Sequence, residues 1–309
     1  MEYDRYVHLN KYLKEKFGER TLKVCVDGGF TCPNRDGSVC LGGCIFCGDM
    51  GAGDNIKNRK SDILQSIESQ VTTFLNSYRG DRANKFIVYF QAFSNTYDSI
   101  NNLRQKYNKA LSCSDKIVGL EIATRPDCIT EEVVKLLSEY TDKYYVCVEL
   151  GLQTANDVIG KVINRGYSTD DFINASKLLR KYSIDVVGHM MVGLPGESEE
   201  DIFKTVEVIN ENCKGVKIHS TYVLKNTVLE KMYESGEYSA ITLDYYVDKV
   251  CKILSRLRGD IVIHRINGDP PKDKLVAPEW TSRKKVVINA INKELENRNI
   301  YQGKLLGDK

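Results

Sequence analysis

The chain has 309 residues, of which 42% are hydrophobic and 28% charged, with six prolines and a formal net charge of +2. That is an ordinary globular composition, long enough to bury a large core, and the near-balanced charge neither requires nor excludes nucleic acid. No apolar run approaches the roughly 18–20 residues that span a bilayer, and the start Met-Glu-Tyr-Asp-Arg-Tyr lacks the features of a secretory signal, so a cytoplasmic protein with no membrane partner is expected.

In chain order, strand-like apolar runs alternate with segments of helical period. The predicted strands are Leu22–Val26, Phe86–Gln91, Ile117–Ala123, Tyr145–Leu150, Asp185–Val192 and Val216–Val223. Between the first two, Ile63, Leu64, Ile67, Val71, Phe74 and Leu75 mark one helix face, with Ser61 as the expected N-cap. Thr130, ahead of Glu131 and Glu132, caps another helix, and Thr169 and Ser198 read as further caps. Six β/α units in succession predict a parallel sheet with helices outside, two units short of a closed eight-unit barrel and open on one side. After about residue 225 the alternation stops. Leu243, Tyr246, Val247, Val250, Ile253 and Leu254 form a helix face, Ile261–Ile263 a short strand and Val286–Leu295 a last helix. The expected organisation is an N-terminal helix over residues 1–20, a TIM-like partial barrel of class α/β over 21–225, and a C-terminal α/β extension over 226–309.

Ten cysteines are too many to ignore, yet a disulfide framework does not suit a chain of this length without an export signal. Cys113, Cys128, Cys147, Cys213 and Cys251 are scattered and read as small buried hydrophobes. Cys25, Cys32, Cys40, Cys44 and Cys47 cluster within 23 residues, the last four on the segment after the first strand, where an α/β barrel places its functional loops. Soft thiolates select zinc or iron–sulfur. A structural zinc site would want a second CxxC pair or suitably spaced histidines, but His8, His189, His219 and His264 stand singly. Three thiolates on a 4Fe–4S cluster leave one iron open, as catalysis requires. Two sets fit: Cys40, Cys44 and Cys47 as C-x3-C-x2-C, or Cys32, Cys44 and Cys47 as C-x11-C-x2-C.

Polar residues interrupt five successive strands: Gln91, Glu121, Glu149, His189 and His219. One buried charge would be a partnered structural residue. The same placement in strand after strand marks a polar site, and Glu121, Glu149, His189 and His219 are the catalytic candidates. Arg125 and Arg265 suit either an ion pair or the site. Trp280 reads as core, and Arg283-Lys284-Lys285 as a solvated run placed where it could meet phosphate.

The run from Gly28 to Cys47 contains Thr31-Cys32-Pro33-Asn34-Arg35-Asp36-Gly37 and Gly43-Cys44-Ile45-Phe46-Cys47. With Tyr89–Phe93, Ala123–Cys128, Glu149–Thr154, Asn164-Arg165-Gly166 and Val192–Glu197, it resembles the YtqA/YhcC subgroup of radical S-adenosylmethionine (SAM) enzymes, related to the catalytic subunit of Elongator. The resemblance covers nearly the whole chain. It implies a 4Fe–4S cluster on Cys32, Cys44 and Cys47, with Cys40 a bystander. It places Phe46 by the cofactors and Gln91, Ala92, Phe93 and Ser94 against the methionine amino group of SAM. Glu121 and Gln153 approach the ribose or methionine moiety, Arg165 holds the carboxylate, and Gly193 and Leu194 border the adenine. Two departures stand out: Gln91-Ala92-Phe93 replaces the usual Gly-Gly-Glu, and His189 stands where some relatives carry aspartate, which leaves it free to touch SAM or substrate.

The implied reaction is reductive cleavage of SAM to a 5′-deoxyadenosyl radical that abstracts hydrogen from a substrate, with a flavodoxin or ferredoxin as electron donor. The implied substrate is tRNA, at the side chain of its wobble uridine. The alternatives are a small metabolite or a protein as substrate, or a non-enzymatic iron–sulfur or zinc module that binds RNA.

Overall fold

The computed structural model describes residues 4–51, 56 and 60–307, so the first three residues of the expected N-terminal helix lie outside it. Period-two alternation builds the sheet. Apolar residues on one face pack under the helices: Val24 and Val26 in β1 (Thr21–Val26), Val88 and Phe90 in β2 (Lys85–Phe90), and Leu120 and Ile122 in β3 (Ile117–Thr124). The pattern continues with Val146, Val148 and Leu150 in β4 (Tyr145–Gln153), Val186 and Met190 in β5 (Asp185–Val192), and Val216 and Ile218 in β6 (Gly215–Ser220). The alternate residues face the opposite way, into the lumen of a curled sheet.

The covering helices are α1 (Leu9–Phe17), α2 (Ile63–Leu75), α3 (Ile100–Leu111), α4 (Glu131–Ser138), α5 (Asp157–Val162), α6 (Thr169–Lys181) and α7 (Glu199–Asn212). Two caps fall one residue from their expected places. Asp62, not Ser61, accepts from Gln65 N at the start of α2, and Ser168, not Thr169, forms a capping box with Asp171 at the start of α6. Thr130 and Ser198 cap α4 and α7 as expected.

The last third of the chain holds β7 (Val223–Leu224), α8 (Val228–Glu234), α9 (Leu243–Arg256), β8 (Val262–Arg265), β9 (Leu275–Ala277) and α10 (Lys284–Asn297). Here the structure departs from the expected count of strands. The main sheet has seven strands in the order β1-β2-β3-β4-β5-β6-β8, every neighbouring pair parallel. The short strand expected within the C-terminal extension is the seventh, because α9 supplies the crossover that brings β8 parallel to β6. The strand expected to reach Val223 stops at Ser220, and β7 pairs antiparallel with β9 instead.

The side expected to be open is partly bridged. Ile263 N donates to Val7 O at 2.8 Å, His8 pairs with Ile263 in the parallel sense, and α1 packs against β8 and β1. The N-terminal segment thus joins the two edges of a half-barrel. Trp280 lies against Tyr246 and donates from Nε1 to Ile241 O, a core position as expected. Among the described residues no helix is long and apolar enough to cross a membrane.

Candidate active site

The loop after β1 makes a closed excursion between Cys32 and Cys44. Arg35 N and Asp36 N donate back to Cys32 O, Val39 N to Pro33 O, and Gly43 N to Asn34 O at 2.7 Å. Gly43 holds φ +79°, in the left-handed region, and a Cβ there would come within 3.0 Å of Arg35. The excursion returns Cys44 beside Cys32 and carries Cys40 out between the exposed Val39 and Leu41. Burial, then the nearby Cys47, Arg125 and Cys32, act on the Cys44 thiol, with a net rise to about 12. Asn34 Nδ2 lies 3.6 Å from Cys44 Sγ, and Arg35 Nη1 lies 3.8 Å from Cys47 Sγ.

This donor set fits an iron–sulfur cluster better than one ion. The Cys32, Cys44 and Cys47 sulfurs are not gathered within 4.8 Å of one another, as ligands of a single tetrahedral zinc would be. N–H groups directed at sulfur, with the Arg125 cation close by, stabilise thiolates and tune a cluster's potential. All ten cysteines are free of disulfides.

The segments expected to meet SAM lie at the C-terminal ends of the strands, the rim that also carries the cysteine loop. Directly after β2, Ala92 and Phe93 hold φ of 83° and 59°, a conformation that non-glycine residues avoid. Asn95 locks it, its Nδ2 donating to Ala92 O at 3.0 Å and to Ala123 O at 2.7 Å. Ser94 is fully buried and Gln91 half-buried. Phe46 is half-buried against the small apolar cluster of Ile45, Ile163 and Leu194. Gly193 and Leu194 donate their backbone N–H groups to Glu197 Oε2, and Gly193 O accepts from Tyr238, so this turn offers a ligand shape and apolar contact. Burial raises the Glu197 carboxyl to about 8 against those two N–H donors. Gln153, at φ 59°, has its Oε1 engaged by the Tyr167 hydroxyl at 2.8 Å.

Arg165 sits differently from its expected role. It is fully buried, and its guanidinium donates to Tyr167 O, Leu152 O, Thr154 O and Asp157 Oδ1. Those bonds fix the end of β4, including the Gln153 turn, and leave little capacity for a ligand carboxylate. Arg125 resolves to a bidentate ion pair with Asp127 and donates from Nη1 to Arg165 O.

Below the rim the lumen is lined by charge. Glu149 has no exposed side-chain surface and accepts from Lys217 Nζ at 2.5 Å, His189 Nε2 at 2.8 Å, Lys23 Nζ at 3.3 Å and the Tyr89 hydroxyl. Burial alone would raise its pKa; the adjacent Lys217 and Lys23 instead drive it well below the ordinary carboxylate range. Glu121 accepts from Lys23 at 2.5 Å through Oε1, while its buried Oε2 has no hydrogen-bond partner among the described residues. An orphaned acceptor at this place fits a ligand hydroxyl.

Glu121, Glu149 and His264 gather like metal ligands, but Lys23 Nζ stands among them, 2.5, 3.3 and 3.2 Å from their nearest atoms. The ammonium fills the place an ion would take. The His189 and His219 rings lie tilted at 41° to one another with centroids 5.5 Å apart. Burial lowers both imidazoles, most strongly His219, whose buried Nε2 has no hydrogen-bond partner among the described residues. All four catalytic candidates therefore meet in one chamber. The sequence reading missed Lys23, Tyr89, Lys217 and His264, which partner them.

Comparison with known proteins gives the family. The model of the radical SAM superfamily matches residues 35–209, and that of the radical SAM C-terminal domain matches 213–297. The chain is 40% identical to YtqA of Bacillus subtilis over 301 residues, covering 97% of this chain and 92% of that protein. It is 32% identical to the tRNA uridine(34) acetyltransferase of Dehalococcoides mccartyi over 185 residues, 57% of this chain but 39% of that protein. Among solved structures, archaeal Elp3 of Methanocaldococcus infernus lacking residues 1–46 superposes with a TM-score of 0.67 at 20% identity. That match covers 91% of this chain and 64% of the other, under two thirds of its length, and shows a shared fold.

Proposed function

The chain belongs to the radical SAM superfamily, and from that premise we propose that it modifies the wobble-uridine side chain of tRNA with a cluster held by Cys32, Cys44 and Cys47. Membership brings a 4Fe–4S cluster and SAM as cofactors. When bound, they supply one-electron cleavage of the sulfonium and hence a 5′-deoxyadenosyl radical. The chain's residues do the rest. Asn34 and Arg35 present N–H groups to the ligand sulfurs, and Asn95 holds the Ala92–Phe93 turn in a shape SAM can meet. Glu121 Oε2 offers an acceptor to a hydroxyl, and Arg165 holds the Gln153 turn in place.

The observation that carries the tRNA reading is the likeness, across 57% of this chain, to a protein named for acting on uridine 34 of tRNA. Only the part held in common supports the proposal, since most of that relative lies outside the match. A base in a folded loop must be splayed out to meet a buried radical, and loop nucleotides allow that at little cost. The test is to incubate holo-enzyme, SAM and a low-potential reductant with tRNA from a strain lacking this gene. Mass spectrometry of the wobble uridine should show a changed side chain. Identical wobble uridines before and after, together with an unchanged deletion strain, would remove tRNA and move a small metabolite to first place.

A further inference from the structure

Arg265 stands out in the lumen because no described residue balances it. Between β6 and β8 the register skips a residue: Val216 pairs with Ile263 and Lys217 with Arg265, leaving His264 as the extra residue of a bulge. A bulge re-aims side chains, and here His264 reaches Lys23 while Arg265 acts on Cys25, His189, Lys217 and His219, all on the lumen face. Arg265 is half-buried and makes no side-chain hydrogen bond or ion pair with any described residue.

Charge counting sharpens the point. Among the described residues the lumen carries three cations, Lys23, Lys217 and Arg265, and two carboxylates, Glu121 and Glu149. Lys23 and Lys217 are paired with the carboxylates, and one positive charge is left over on Arg265. Asp185 offers no relief, because it lies at the opposite mouth beside Tyr12. His219 adds a buried Nε2 that has no hydrogen-bond partner among the described residues, next to that charge. A guanidinium without a counter-charge offers an anion charge-assisted, bidentate hydrogen bonds. Solvent can reach this space: Cys25 on β1 is exposed, with Lys23, Lys217 and Arg265 near it.

We propose that Arg265, with Lys217 and His219 beside it, binds an anionic group of the substrate, a carboxylate or a phosphate, in the chamber lined by Cys25. The inference rests on reading the lumen as the substrate chamber and requires neither tRNA nor SAM turnover. The geometry suits a group that enters from the rim and stops at the layer of Glu149, whose own negative charge turns it toward Arg265.

Cys25 reports on this site directly. Reconstituted holo-protein is treated with iodoacetamide and the rate at Cys25 is followed by peptide mass spectrometry, with acetate or inorganic phosphate as probes and chloride at equal ionic strength as reference. At a probe concentration about five times its Kd, alkylation should slow about sixfold, since protection scales as 1 + [L]/Kd. Protection by acetate identifies a carboxylate ligand, and protection by phosphate a phosphoryl one. Arg265→Gln should abolish either effect, with iron content unchanged, and Arg265→Lys should keep part of it. Cys25 rates equal in chloride and both probes, or protection that persists in Arg265→Gln, overturns the proposal. Absence of SAM cleavage would defeat the functional reading and leave this result standing, so the two failures are distinguishable.

Discussion

Lys217 Nζ lies 2.5 Å from Glu149 Oε2 at the centre of the half-barrel, where neither side chain is open to bulk water. Such a pair is expensive to desolvate, and breaking it by removing one partner strands the other. Glu149→Ala would leave Lys217, part of the Lys23 interaction and the Tyr89 hydroxyl without their acceptor. A loss of about 3–5 kcal/mol or more in unfolding free energy is expected. The pH dependence has a definite sign. Because the folded pKa of Glu149 is depressed, its contribution is full above the ordinary carboxylate value and is lost only as pH falls through the lower folded value. Urea titrations of wild type and Glu149→Gln should therefore differ by a constant amount near neutrality, and converge only in acid. A difference that grows on acidification would show the carboxylate is not the stabilised form.

Arg165→Ala removes a guanidinium bonded to three backbone carbonyls and Asp157. We expect about 3–5 kcal/mol of lost stability, the range for breaking a buried charged network, together with weaker SAM binding through a loosened Gln153 turn. Arg165→Lys should recover little, since an ammonium cannot reproduce the fork. A variant of wild-type stability that fails only in SAM binding would make Arg165 a direct ligand instead.

Ala92 and Phe93 carry backbone strain where glycine would be at ease. Ala92→Gly should raise stability by roughly 1 kcal/mol, the low end of what a left-handed non-glycine residue costs. It should also raise the SAM concentration needed for half-maximal cleavage, because the turn loses its fixed shape. Thermal unfolding and a SAM titration read the two effects separately; a fall in both stability and SAM requirement would mean the conformation carries no strain.

Much of this site was legible beforehand, and the omissions have physical reasons. Glu121 and Glu149 stand out because polar residues recur at matching places in successive apolar strands, where one alone would read as a partnered structural charge. Lys23 and Lys217 obey the same period-two rule, two positions from Cys25 and His219. Yet a lysine near a strand end reads as solvated, and only the tertiary fold shows these two buried against carboxylates. Tyr89 hid among apolar neighbours. His264 and Arg265 escaped because β8 is short, separated from β6 by α9 and bulged, so alternation does not predict which way either points. Nothing in the sequence marks Arg165 as spent on backbone carbonyls. Spacing alone leaves the ligand question open between Cys32 and Cys40, and the choice of Cys32 rests on the resemblance around Pro33-Asn34-Arg35-Asp36-Gly37.

The central claim is that Cys32, Cys44 and Cys47 hold a catalytic cluster. Its most direct test is anaerobic reconstitution of wild type and of four single variants, Cys32→Ala, Cys40→Ala, Cys44→Ala and Cys47→Ala. Iron, sulfide and 5′-deoxyadenosine formed from SAM under reduction are measured in each. The account predicts about four irons and four sulfides per chain in wild type and Cys40→Ala, with 5′-deoxyadenosine from both and none from the other three. Stoichiometric zinc without sulfide in wild type, or a cluster lost in Cys40→Ala and kept in Cys32→Ala, would contradict it.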